Sequence, residues 1–491
     1  MEKTTLKTTA KIKSPLTLPN WQILYVWGCG VVLPASMGVA ALLLARALAA
    51  PAYGKVAYFF SILGLVILLG SLGLTTQVRT VAARYKAQPA NPRILAELKA
   101  LFAVRLGSVL MLVLFAGIIG LFSSKFVAAG VIAGAVVLTG EFFNGILQGL
   151  GRFVPGSSLQ ALPAVLYLGT VVFSGVKDSN YQFVIMAVIL SYLPSLLIAG
   201  TTSGWLLKIN PLRLSTPWQA LKSIVLASGQ VYLVGLALAF YGMFGAFVLG
   251  SLGYFNETSA FSLSLTIVSF PLSVFALVHS NLIYPRYCQL LAQGEPQKAA
   301  QWFNQFYRLL AAGGMAVTVV VIIFAEPILT LLFTSKYAYA APALAALAPT
   351  VVLALLGQLI IWSLVASGQF RGAMTAAIVQ LVGLVGGGWL AISLTSDFLG
   401  PFALAHSLAT CLSLLVGAYY LRKLITFPLH LVRFGLMLTL LVVIGLGIRL
   451  VFPSKSGPEI QFVELGLVSG LSLLAALVVS FFRGGYTSNV L

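Results

Sequence analysis

The chain has 491 residues, of which 60% are hydrophobic and only 8% charged, with a mean hydropathy of +1.02. That composition excludes a soluble protein cut into ordinary domains and points to a polytopic membrane protein. The formal net charge of +19 would suit nucleic acid, but the basic residues lie in short loops between apolar spans. Membrane orientation accounts for them, and no nucleic-acid partner is expected.

Residues 1–20 are polar and basic and read as a cytoplasmic tail. The run Trp21–Leu44 is long enough to cross a bilayer of about 30 Å, whereas a secretory signal core needs roughly 7 to 15 residues. It is therefore expected to stay as a first transmembrane helix and not to be cleaved near Ala47-Leu48-Ala49. Pro51 and Gly54 then break the chain into a hairpin, with Arg46, Tyr53 and Lys55 placed to sit at headgroup level. Windows of about 20 apolar residues place helices at 21–45, 56–78, 101–122, 126–150, 154–173 and 183–206, a first lobe spanning 21–206. After a linker at 207–223, six more at 224–249, 261–282, 306–324, 340–365, 373–394 and 402–421 form a second lobe, 224–421. Two further helices, at 431–451 and 463–482, make a pair within 431–482, before a tail at 483–491. The expected fold is all-α, with about 14 transmembrane helices. Pro34, Pro163, Pro194, Pro271 and Pro349 fall inside spans and are expected to kink them.

The loop charges supply an independent check. With the N-terminus inside, only Arg46, Lys55, Lys125, Lys177, Lys336, Arg449 and Lys455 of the 29 basic residues fall outside. That bias gives an even number of crossings with both termini cytoplasmic. Cys29, Cys288 and Cys411 lie far apart and suggest no disulfide framework, and no metal or other cofactor is expected.

The two lobes repeat each other. Arg84-Tyr85 recurs as Arg286-Tyr287, and Arg105 as Arg308. Leu121-Phe-Ser-Ser-Lys125 recurs as Leu332-Phe-Thr-Ser-Lys336, and Gly151-Arg-Phe153 as Gly368-Gln-Phe370. Equivalent points are six helices apart, so both copies face the same way, as in parallel two-lobe carriers that rock around a substrate held between the lobes.

Four stretches carry a more specific likeness. They are LARALAAPAYGKVAYFFS at the first hairpin, GILQGLGRF from Gly145, FSLSLTIVSFPLSVFALVHSNLIYPRY leading into LLAQGEPQKA, and AEPILTLLFTSKYAYAAPALAALAP from Ala325. In this order, over roughly residues 20–425, the chain resembles the polysaccharide-biosynthesis lipid flippases. These are relatives of the O-antigen and exopolysaccharide exporters in the multidrug/oligosaccharidyl-lipid/polysaccharide (MOP) superfamily. The resemblance implies a carrier that moves a polyprenyl-diphosphate-linked oligosaccharide, a precursor of lipopolysaccharide or exopolysaccharide, across a bacterial plasma membrane by alternating access. It implies no enzymatic activity. The implied partners are the lipid-linked glycan, membrane lipids, and a polysaccharide polymerase or glycosyltransferases.

Such a substrate needs cations, hydrogen-bonding groups and an opening to lipid. Arg105 and Arg308 lie inside apolar spans at repeat-equivalent places and are candidates to receive the diphosphate; the competing reading has both snorkel to the cytoplasmic interface. Arg46 and Arg79, at helix ends, are candidates or simple interfacial anchors. Glu141 is the one carboxylate deep in a span and the candidate for ion coupling, unless it serves as a structural hydrogen-bond partner or pairs with Arg152. Asn144 and Gln148 share its helical face. Gln160, Gln358 and Gln380 are further candidates for substrate contact, and Gln230, His279, Asn281 and His406 are other polar groups within spans. Two alternatives compete: an organic-cation or multidrug extruder of the same superfamily, which needs acidic groups deep in both lobes, and a membrane glycosyltransferase or polymerase, which needs larger loops and catalytic carboxylates. The charge of the central cavity should separate the first two, cationic for the glycan carrier and acidic for the extruder.

Overall fold

A chain in lipid must satisfy its own backbone N–H and C=O groups, and spans that are apolar on every face do so as helices. In a computed structural model of the protein, the described residues run from 20 to 422, apart from 72, 90, 123–124, 176–180, 208–217 and 280–282. No strand occurs among them. Among the described residues, eleven helices are long and apolar enough to cross a membrane, or twelve if one bent pair counts as a single span. The expected pair at 431–482 lies outside the described residues.

The first lobe comprises α1 (Asn20–Ala47), α2 (Ala50–Ser71), α3 (Leu74–Ala87), α4 (Pro92–Phe122), α5 (Lys125–Gly149), α6 (Phe153–Phe173) and α7 (Tyr181–Leu207). The second comprises α8 (Trp218–Ser251), α9 (Phe255–Val278), α10 (Tyr284–Ala292), α11 (Pro296–Ile323), α12 (Ala325–Phe333), a 3-10 turn (Ser335–Ala340), α13 (Ala341–Leu347), α14 (Thr350–Ala366), α15 (Phe370–Leu394) and α16 (Leu399–Leu421). Neighbour relations recur between them. In the first lobe α1 packs on α6, α3 on α4 and α5, and α7 on α5 and α6; in the second α8 packs on α15, α10 on α11 and α14, and α16 on α14 and α15.

The repeat reaches the hydrogen bonds. At the end of α5, Gly151 has φ 76 and its N–H reaches the Gln148 carbonyl at 2.9 Å, while Arg152 N–H reaches Leu147 at 2.9 Å. At the end of α14, Gly368 has φ 75, with N–H bonds from Gly368 to Val365 at 3.0 Å and from Gln369 to Leu364 at 2.8 Å. This is the same helix-ending motif twice, and it needs glycine because a Cβ disfavours the left-handed region.

Two helices expected as single spans are divided. The 56–78 run stops at Ser71 and resumes as α3 after Gly73, whose φ of 69 turns the chain out of the first helix. The 340–365 run is the bent pair, and its halves meet at 43°. Pro349 explains that break, because it can neither donate to the preceding turn nor fit beside its carbonyl. Pro34, Pro163, Pro194 and Pro271 do lie within helices.

The lobes meet chiefly where α2 packs on α8 and α9. Gly54 lets α2 approach so closely that an added methyl there would collide with the backbone carbonyl of Phe255. Tyr58 follows, set among Phe126, Phe247 and Phe255 with ring centroids 6.1–6.4 Å away. The end of the bundle holding the α1–α2 connection is called the hairpin end below; the opposite end, with α3 and the start of α4, is the basic end.

Candidate functional site between the lobes

A cavity of about 390 Å³ lies between the lobes, walled by α1, α2 and Tyr167 of α6 on one side and by α8 and α9 on the other. Its lining includes Met37, Ala41, Tyr53, Phe60 and Ser61 from the first lobe, and Met243, Leu265 and Phe270 from the second. Along α9, Ser262, Thr266, Ser269 and Ser273 also face it. Their spacing of four, three and four residues keeps the hydroxyls on one helical face. None of the lining residues is charged. The charge criterion for choosing between substrates thus finds neither sign.

The cavity is fastened at its hairpin end by a reciprocal clamp between lobes. Arg46, near the end of α1, donates from Nε to the Leu332 carbonyl at 2.8 Å and from a terminal nitrogen to Leu331 at 2.7 Å. In return Lys336 Nζ donates to the carbonyls of Arg46 at 3.1 Å and Leu48 at 2.5 Å. Each lobe thus presents a cation to the carbonyl end of the other lobe's helix, where the helix dipole favours positive charge. Thr334, between α12 and the 3-10 turn, has φ 91 and ψ 161. It is the one non-glycine residue of positive φ among those described, in a region that costs a side chain about 1–3 kcal/mol. That turn carries Lys336 back toward α1. Tyr53 and Tyr337 meet edge to face beside it, with centroids 6.4 Å apart.

The basic end holds a different constellation. Arg105 is 2% exposed and donates to the carbonyls of Gly70 at 2.8 Å and Ser71 at 3.3 Å, with its guanidinium 5.7 Å from the Phe142 ring centroid. From the other lobe, the Tyr232 hydroxyl shares its one proton between the Leu68 and Leu69 carbonyls, both at 3.0 Å, and Ser71 Oγ also donates to Leu68 at 3.0 Å. The last four carbonyls of α2, which the helix backbone cannot satisfy itself, therefore all have a donor, and Leu69 has its donor from the second lobe. Arg105 serves the end of α2, and its Nε remains buried without a partner. Arg308, its repeat partner on α11, is half-buried. The helices bearing these two arginines, α4 and α11, are not among the closely packed pairs.

Glu141 on α5 interacts electrostatically with Arg105 and Arg79 and with Tyr192 of α7. The helices therefore gather a carboxylate and two guanidinium groups within the first lobe, although no ion pair within 4 Å joins Glu141 to either among the described residues. Arg79 on α3 is exposed at the basic end. Asn144 is buried, and its side-chain carbonyl lacks a partner. Gln148 reaches Gln160 of α6 at 3.4 Å. In the second lobe, Gln358 stands on α14 at the position that the Gly151/Gly368 register makes equivalent to Glu141, and Gln380 bonds Thr410 at 3.4 Å. His279 lies among the tilted rings of Phe275, Tyr284 and Trp362, and His406 is fully buried against Tyr241, with centroids 4.1 Å apart. Asn281 lies outside the described residues. Among the described residues, no group of three His, Cys, Asp or Glu side chains is placed to hold a metal ion.

None of the residues chosen from the sequence for substrate contact or ion coupling lines the inter-lobe cavity, whereas Tyr53, expected at headgroup level, does. Sequence reasoning missed Tyr167 and the α9 hydroxyls because it weighed charges and amides; the Ser/Thr spacing along 262–273 was the available signal.

A family model described as polysaccharide biosynthesis protein matches residues 164–342. Comparison with curated proteins finds no match. Among solved structures, the chain is similar to a multidrug resistance MATE family transporter of the MOP superfamily in its inward-facing conformation. The TM-score is 0.62 at 15% identity, covering 82% of this chain and 98% of that one. Such a transporter in the outward-facing conformation gives a TM-score of 0.55 at 18% identity, covering 82% and 95%. A MATE transporter mutant from Vibrio cholerae gives 0.52 at 15%, covering 82% and 97%. The family match over residues 164–342 agrees with the polysaccharide-biosynthesis part of the resemblance read from the sequence, and the fold shared across most of the chain agrees with the architecture that the resemblance implies.

Proposed function

We propose that the protein carries a polyprenyl-diphosphate-linked oligosaccharide across the plasma membrane by alternating access. The observation that carries this reading is the uncharged cavity shared by both lobes, with hydroxyls on one wall and aromatic rings on the other, fastened by a clamp at one end. A glycan offers hydroxyls and apolar ring faces, and such a lining matches both. The diphosphate is then held outside the cavity, at the basic end, where Arg79 and Arg308 keep exposed or half-exposed guanidinium groups suited to phosphate oxygens. Arg105 supports that end by holding α2. Glu141 takes up and releases the coupling ion, while Asn144, Gln148 and Gln160 form the polar seam beside it. The loop charges support a cytoplasmic basic end and cytoplasmic termini, and the bacterial plasma membrane follows from the resemblance. A polymerase or glycosyltransferases would then use the delivered glycan.

Extrusion of an organic cation is the second reading, favoured by the MATE fold. It is placed second because the family match is to a polysaccharide biosynthesis protein, the uncharged cavity lining favouring neither reading by charge. Both are tested by reconstituting the purified protein in liposomes and measuring movement of a fluorescent lipid-linked glycan and of a fluorescent organic cation. Cysteines at Arg46 and Leu332, bridged by a bifunctional reagent, should stop glycan movement, and cleaving the bridge should restore it. Undiminished movement with the bridge in place would remove the alternating-access reading, and movement of the cation alone would replace the substrate.

A further inference from the structure

We infer that the inter-lobe cavity is a site for an uncharged sugar, held between Tyr167 of the first lobe and Ser262 of the second, and that it rejects acidic sugars. This rests on the reading of the chain as a carrier of lipid-linked glycan and names which part of the substrate enters.

Two orphaned groups point to it. Tyr167 is 2% exposed, and its hydroxyl is buried without a hydrogen-bond partner; the Ser262 hydroxyl is in the same condition. Both residues line the cavity, one from each lobe. A buried hydroxyl without a partner is costly, and such groups in a native protein ask for an occupant that donates and accepts. A sugar hydroxyl does both. Of the other α9 hydroxyls, Thr266 donates to the Ser262 carbonyl and Ser273 to the Ser269 carbonyl. Their oxygens are still free to accept. Across from them, Tyr53 and Phe60 offer ring faces and edges, against which the apolar face of a sugar packs. The volume of about 390 Å³ is near the lower end of small-molecule sites, roughly 300–1,000 Å³. It suits part of a head group, not a whole lipid-linked repeat. The discrimination follows from charge: a uronate carboxylate would lose its hydration with no cation in the lining to replace it.

The full-length protein in nanodiscs is titrated with three probes that share one short prenyl diphosphate: bare, bearing N-acetylglucosamine, and bearing glucuronic acid. The neutral sugar should bind more tightly than the bare lipid, and glucuronic acid should lose that gain. Tyr167→Phe and Ser262→Ala each remove one hydroxyl that has no partner in the protein, so folding should be unharmed. Each should weaken the neutral probe roughly three- to tenfold, the worth of one hydrogen bond, and leave the bare lipid unchanged. Equal binding of neutral and acidic sugars, or an unchanged preference in both variants, overturns the inference and leaves the carrier reading standing. If no probe binds while the protein stays folded, the carrier reading fails and this inference with it.

Discussion

The two lobes share a chain path but distribute polarity in opposite ways. The first keeps Glu141, Arg79 and Arg105 in mutual electrostatic reach, whereas the second has Gln358 at the position equivalent to Glu141 and buries α14 from Thr350 to Val365 except at Gln358 and Trp362. The first lobe thus holds a carboxylate beside two guanidinium groups where the second has an amide, Gln358, in an otherwise apolar helix.

The strongest way to break this comparison is at Glu141. Glu141→Gln keeps shape and hydrogen bonding but cannot exchange a proton, so flipping driven by a pH gradient should fall by about tenfold or more, each tenfold being about 1.4 kcal/mol. Adding Gln358→Glu to that variant should not restore it. Recovery in the double variant, measured in proteoliposomes with and without the gradient, would falsify the claim that coupling belongs to the first lobe.

The clamp comes next, since it joins one residue from each lobe. Hydrogen bonds to charged groups contribute about 1.5–3 kcal/mol, less for partly exposed pairs. Arg46→Ala and Lys336→Ala should each raise labelling of a cysteine at Ser61 from the hairpin end several-fold, to about the same degree. Strongly unequal effects would mean that the clamp is not reciprocal.

Arg105 and Arg308 give a smaller contrast. Removing Arg105 leaves two carbonyls of α2 unmet, at about 1–3 kcal/mol in a buried place, so Arg105→Ala should lower the melting temperature more than Arg308→Ala. The reverse order would show that burial misleads about their roles. Least of all, Gly151→Ala and Gly368→Ala should cost about 1–2 kcal/mol each, because both hold left-handed backbone. Unequal losses in thermal unfolding would mark where the repeat has drifted.

Much of this architecture is legible in the sequence because lipid constrains it so tightly: length, hydropathy and loop charge suffice for the spans, and ordered matches such as Gly151-Arg-Phe153 with Gly368-Gln-Phe370 suffice for the repeat. The division at Pro349 was harder, since the chain stays apolar on both sides of it, whereas α3 beyond Gly73 is plainly more polar than α2. Arg105 and Arg46 stood out as costly cations, but whether a guanidinium meets a substrate or a helix terminus depends on which carbonyls lie opposite. Those partners are 35 residues away for Gly70 and 286 for Leu332, beyond any local pattern. The cavity hydroxyls drew no notice for the opposite reason, because Ser and Thr are inexpensive in a membrane helix and carry no charge to betray them.

The end of α2 also bears on how the protein is made. Tyr232, which meets the Leu68 and Leu69 carbonyls, lies 164 and 163 residues further along the chain. At a synthesis rate of about 5–20 residues per second, α2 waits roughly ten to thirty seconds for the residue that completes it. During that interval its final turn must borrow hydrogen bonds from water at the membrane surface or from the insertion machinery. The last turn of α2 is therefore completed only once the second lobe has begun to enter the membrane, and a nascent chain halted between α7 and α8 should expose the end of α2 to proteases more than the full chain does.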